Sequence, residues 1–103
     1  MKLKHKYNAK PCESADGIKF ASMRERSWYL KLKILQVTGD VLFFIRQVPF
    51  DLPGKTTYRA DFMVFYTDGS IKVLDVKGVE TEVFKLKKRQ MEEIYPFEIE
   101  VVK

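Results

Sequence analysis

The chain has 103 residues, enough for one domain with its own core but not for further modules. With 46% hydrophobic and 14% aromatic residues it is not a disordered chain, and no apolar run approaches the ~20 residues of a membrane span. A single cysteine, Cys12, excludes an intrachain disulfide, and with only one histidine the usual Cys/His zinc site is excluded as well. The net charge is +5, from 19 Lys+Arg against 14 Asp+Glu. That suits a binder of phosphate backbones, but it is equally the charge of many small basic proteins.

The first 18 residues carry Lys2, Lys4, His5, Lys6 and Lys10, then Pro11 and an Asp16-Gly17 turn. They read as a basic arm or a loosely attached segment. No signal-peptide core follows the charged start, so a reducing, cytoplasmic compartment is expected. Ser22-Met23-Arg24-Glu25 matches a capping box and predicts a helix to about Val37, stopped by Gly39. Its apolar stripe is Trp28, Leu32 and Leu35. Val41–Ile45 is an apolar run that predicts a strand. It continues irregularly through Gln47–Leu52, because Pro49 cannot donate to a central ladder. Pro53-Gly54 is a turn. Two further apolar runs follow, Tyr58–Tyr66 and Ile71–Lys77, joined through Thr67-Asp68-Gly69-Ser70. Thr81–Tyr95 predicts a second helix with Val83, Leu86 and Ile94 on its buried side and Phe84 and Met91 beside them. Pro96 ends it. Phe97–Val102 alternates as a last strand, and the crossover is long enough to set it parallel to the third. The expected fold is a single α/β domain, order α-β-β-β-α-β, with one mixed sheet flanked by helices.

The informative stretch is the hairpin. Asp61 and Asp75 stand in strands whose two faces are both mainly apolar, as in a sheet covered on two sides. A buried, unpaired carboxylate costs several kcal/mol, roughly, so something must compensate. The turn decides whether the acids meet. A two-residue turn at Asp68-Gly69 puts them on opposite faces. A three-residue loop, Thr67-Asp68-Gly69 with Gly69 left-handed, pairs Asp61 directly with Asp75. The second geometry is expected, because it uses Gly69. It opposes two like charges, which a divalent cation between them would relieve, magnesium being the natural candidate. Lys77 follows on the same face, where it could orient water or stabilise a pentavalent phosphate. The plainer alternative is an Asp61–Lys77 salt bridge at a sheet edge. Glu25 is either only the capping-box acid or a third acid facing the sheet. Gln47 is either a structural hydrogen-bonder or a contact to site or substrate. Lys85, Lys88 and Arg89, with Lys87 nearby, form either a solvated helix face or phosphate contacts close to the acids. Arg59 shares the Asp61 face and joins these as a candidate DNA contact.

These residues resemble the PD-(D/E)xK nuclease superfamily: Glu25, then Asp61, Asp75 and Lys77 in this order of elements. The similarity extends to a small phage and prophage family within it. It rests on Lys6-Tyr7, Asp16 through Ser22, Gln47, Ala60-Asp61-Phe62, Asp75-Val76-Lys77-Gly78, and Thr81 through Phe84-Lys85-Leu86-Lys87. It covers nearly the whole chain. The resemblance implies a restriction-endonuclease-like core with Asp61, Asp75, Glu25 and Val76 at a Mg²⁺ ion, which Mn²⁺ could replace, and Lys77 as the catalytic lysine. Ala60 replaces the proline of the superfamily name, and Asp75 the commoner Glu. The expected function is magnesium-dependent DNA endonuclease activity by metal-activated water, selective for branched DNA such as Holliday junctions, by a homodimer. The alternative is a non-catalytic DNA-binding or assembly protein that keeps the fold.

Overall fold

The computed structural model describes residues 11–103. The elements are β1 (Cys12–Glu13), β2 (Lys19–Phe20), α1 (Met23–Thr38), β3 (Val41–Leu52), β4 (Thr56–Tyr66), β5 (Ile71–Val76), α2 (Glu82–Ile94) and β6 (Ile99–Val102). From α1 onward this is the expected α-β-β-β-α-β order. The four long strands form one mixed sheet, β3-β4-β5-β6, antiparallel except for the β5–β6 pair. The two helices make it an α/β fold. Among the described residues no helix is long and apolar enough to cross a membrane.

Part of the supposed basic arm is structured. Residues 12–20 form a small hairpin that turns at Asp16-Gly17 and buries Phe20 against α1. Tyr29 donates to Asp16 at 2.5 Å, and Ser14 also hydrogen-bonds it. Two-residue strands give too short a pattern to show alternation. Lys2, Lys4, His5, Lys6, Tyr7 and Lys10 lie outside the described residues.

Ser22 caps α1 by accepting from the Glu25 N–H, and Gly39, with φ of 97°, ends it. The buried face is Glu25, Tyr29 and Leu32; Trp28 and Leu35 flank it. The aromatic on the next turn, Tyr29, takes the central place expected of Trp28. β3 is one strand of 12 residues that runs on through Leu52, irregular at Gln47, which is left out of the ladder to β4. Pro49 is tolerated because β3 is the sheet edge, where one row of main-chain donors has no partner to lose.

On α2 the expected buried side is largely wrong. Phe84 and Met91 are buried, while Val83, Leu86 and Ile94 are 64%, 49% and 49% exposed. Phe84 and Met91 are seven residues apart, two full turns, so they fix the face against the sheet. Lys87 and Lys88 sit half-buried between them.

Two clusters form the core. Phe20, Tyr29, Leu32, Val41, Phe62, Val64 and Leu74 pack under α1. Leu52, Tyr58, Ala60, Val73, Phe84, Met91 and Ile99 pack under α2. Residues of one alternation class in β4 thus serve both cores, Phe62 and Val64 the first, Tyr58 and Ala60 the second. The change falls at Asp61. Its partner across β3, Gln47, is skipped in the ladder and has a φ of 54°, rare for a residue with a side chain.

Candidate active site at the end of the hairpin

The turn is the three-residue loop. Tyr66 donates its N–H to the Ser70 carbonyl, the Gly69 N–H returns to Tyr66, and Gly69 has a φ of 93°. Asp68 accepts from the Ser70 N–H at 2.9 Å and closes the loop. The register this fixes runs Phe65↔Ile71, Val64↔Lys72, Met63↔Val73 and Phe62↔Leu74. One step further sets Asp61 opposite Asp75.

At that step the ladder stops and side chains take over. The Asp61 carboxylate accepts from the Val76 N–H at 2.8 Å, the donor that continued pairing would have aimed at the β4 main chain. Asp75 is 1% exposed. Tyr58 donates its hydroxyl to Asp75, and the Lys77 ammonium lies 3.5 Å from the other Asp75 oxygen. Lys77 therefore pairs with Asp75 and not with Asp61. Its ammonium also sits 4.8 Å over the Phe84 ring, which holds the flexible stem in place.

Glu25 reaches the same place from α1. Its N–H donates to the Ser22 cap, yet its carboxylate is turned inward, where it accepts from Gln47 at 2.8 Å and from Arg46 at 3.3 Å. The Gln47 amide also donates to Asp61 at 3.3 Å. One amide thus bridges two acids, and the positive φ at Gln47 aims it there. Backbone strain of this kind costs on the order of 1–3 kcal/mol and persists where surrounding contacts hold it. Arg59 bonds the Gln47 carbonyl at 3.3 Å, so it supports the same distorted residue. Gln47 thus makes structural hydrogen bonds, and makes them to two of the candidate site residues.

The electrostatics follow from the packing. The Asp75 carboxyl is pushed up to about 7, first by burial and next by its hydrogen-bonding contact with the Asp61 carboxyl. Glu25 is raised by burial and then by the charge of Asp61, against the pull of Gln47 and Arg46. The Tyr58 hydroxyl is held far above its usual range by burial and by Asp75, so it stays a proton donor. Lys77 balances Asp75 alone, and a divalent cation between the two carboxyl groups would balance the remaining charge. Among the described residues no group of three or more His, Cys, Asp or Glu side chains forms a ready-made metal cage. A pair of carboxylates fits Mg²⁺, which binds through one or two acids and keeps several waters.

The α2 cations are less free than their spacing suggests. Lys85 pairs with Glu82 at 3.4 Å, Lys88 pairs with Glu92 at 3.0 Å, and Lys87 bonds the Thr57 carbonyl at 3.3 Å. Arg89 is exposed. Two further side chains belong to the site, Arg46 and Tyr58. Arg46 is a charge beside Gln47 in an apolar strand, a signal that could have been read; its guanidinium stacks 4.4 Å over Phe20. Tyr58 reads as core, and nothing in its spacing points its hydroxyl at Asp75.

Fold and site together define a small α/β protein with two facing carboxylates, a flanking lysine and a helix-borne glutamate at a broken hairpin. The family model described as a protein of unknown function (DUF1064) matches residues 4–102, and the chain belongs to that family. No curated protein and no solved structure matches the chain.

Proposed function

We propose that the protein is a magnesium-dependent DNA endonuclease. The observation that carries this reading is the register that sets Asp61 opposite Asp75, with Asp61 bound to the Val76 N–H at 2.8 Å and Lys77 3.5 Å from Asp75. Asp61, Asp75 and the Val76 main chain would hold the ion, and Glu25 would stand behind it through Gln47. A divalent ion there supplies positive charge to the phosphoryl oxygens and acidifies water. The chain's own residues do the rest. Lys77 offers its ammonium to the charge that develops on the phosphorus oxygens. Tyr58 fixes the orientation of Asp75. Gln47 and Arg46 hold Glu25 against the acid pair. The Phe84 ring steadies the Lys77 ammonium, which lies 4.8 Å from its centroid.

A chain this small has little surface for reading bases, so cleavage is selective for DNA structure, branched duplexes foremost, and a homodimer would present two centres to a junction. A cytoplasmic enzyme fits a chain with a single cysteine. Purified protein is incubated with branched and linear duplex DNA, with Mg²⁺ or with EDTA. The reading expects Mg²⁺-dependent cleavage of branched DNA by wild type and none by Asp75→Ala. Absence of cleavage by wild type, or equal cleavage by both proteins, overturns it. Salt-sensitive DNA binding indifferent to metal and to Asp75→Ala would support the non-catalytic DNA-binding reading instead.

A further inference from the structure

Beside the acid pair lies a second feature, on the other side of Lys77-Gly78. A cleft of about 330 Å³ is lined by Arg24, Ser27, Trp28, Lys31 and Lys103. It runs between the first half of α1 and the carboxyl ends of β5 and β6, where the Lys77 N–H bonds the Val102 carbonyl at 2.9 Å. Ligands of α/β proteins commonly enter at such strand ends. The Arg24 guanidinium lies over the Gly78 main chain, 3.6 Å from where a Cβ would stand. The cleft therefore borders the main chain at Gly78, the residue after Lys77.

Its composition is specific. Three cations line it, and among the described residues none of the three forms an ion pair with an Asp or Glu side chain. This contrasts with α2, where Lys85 and Lys88 both do. Trp28 is held fixed, because its indole N–H donates to the Lys103 carbonyl at 2.9 Å. The Lys31 ammonium lies 4.3 Å from the ring centroid. Fixed aromatic surface beside unpaired cations is the arrangement that takes a base and its phosphate together.

We infer that this cleft seats a single-stranded DNA flank, one nucleotide deep, with a base stacked on Trp28 and its phosphates on Arg24 and Lys31. A volume near 330 Å³ is about that of one nucleotide. The base displaces the Lys31 ammonium from the ring and leaves it to the adjoining phosphate. The proposal deepens the nuclease reading, and it rests on that reading only for the strand's route onward to Lys77. It makes the preferred substrate a junction between duplex and single strand.

Trp28 is the only tryptophan, so its fluorescence reports this cleft alone. The full chain in EDTA is titrated with a ten-nucleotide oligo-dT, a duplex of the same length, and polyglutamate. Binding is read without metal, so a failure of the nuclease reading leaves this measurement intact. The expected result is quenching by oligo-dT alone, with affinity lowered at least ~5-fold in Arg24→Glu and Lys31→Glu. Lys55→Glu, at the far β3–β4 turn, retains the wild-type affinity. Melting curves confirm that the exposed-residue variants stay folded. No quenching by oligo-dT, equal quenching by duplex or polyglutamate, or an affinity unchanged by both charge reversals overturns the inference.

Discussion

The β4–β5 hairpin has two ends built from the same two strands. At the turn end the ladder is regular, from Phe65↔Ile71 to Phe62↔Leu74, and Phe43 stacks on Phe65 with ring centroids 4.4 Å apart. At the other end the ladder is given up, and Asp61, Asp75, Tyr58, Gln47 and Glu25 replace main-chain pairing with a side-chain network. The turn end sets the register; the open end gives it up to the side-chain network. Charge is concentrated where regular structure stops, because only there can carboxylates reach one another and a ligand.

The comparison can be broken most severely at the open end. Asp75→Asn and Lys77→Met are each expected to lower DNA cleavage by at least ~10²-fold, read as initial rates on a branched substrate. Asn at position 75 still accepts from Tyr58, so the fold survives and the loss is chemical. An activity that persists in either variant contradicts the assignment.

Acidity separates the two ends next. The Asp75 carboxyl is raised to about 7, so folding takes up a proton there. Its stabilising contribution is complete below the unfolded value of about 4 and is lost as pH rises through about 7. Thermal melts without metal should fall in Tm from pH 5 to pH 8, with a stability change on the order of a few kcal/mol. Glu25, raised for similar reasons, adds in the same direction. Mg²⁺ should restore stability at pH 8 far more than at pH 5, because it binds the ionised pair. In Asp75→Asn both dependences should shrink.

A smaller effect is expected at Gln47. Gln47→Leu leaves Glu25 and Asp61 without their shared donor and should cost about 1–3 kcal/mol in chemical denaturation at pH 8. At pH 5 the cost should be less, since Glu25 is then closer to neutral. The smallest effect belongs to the turn end. Gly69→Ala must adopt a φ of 93°, and should cost about 1–2 kcal/mol while keeping Mg²⁺-dependent cleavage. A Gly69→Ala protein that folds stably but cleaves nothing would mean that register alone does not bring the acids together.

The hairpin's geometry was legible because it followed from one residue. Gly69 selects the loop, the loop selects the register, and the register opposes Asp61 and Asp75. Glu25 was half legible: a capping box explains its main chain, but the inward turn of its carboxylate depends on Arg46 and Gln47 from another element. The face of α2 was misread because Val83, Leu86 and Ile94 form as good a stripe as Phe84 and Met91, and only the sheet chooses between them. The skipped pair at Gln47 was illegible, since glutamine carries no local signal for a positive φ. The β1–β2 hairpin was hidden by its brevity.

The central claim is that the open end of the hairpin is a divalent-cation site. It is tested most directly by soaking crystals of the protein in Mn²⁺ and measuring anomalous scattering. The account predicts a peak between the Asp61 and Asp75 carboxylates, beside Lys77, that is lost in Asp75→Ala. A fully soaked crystal with no peak there, or a peak that survives the substitution, would contradict it.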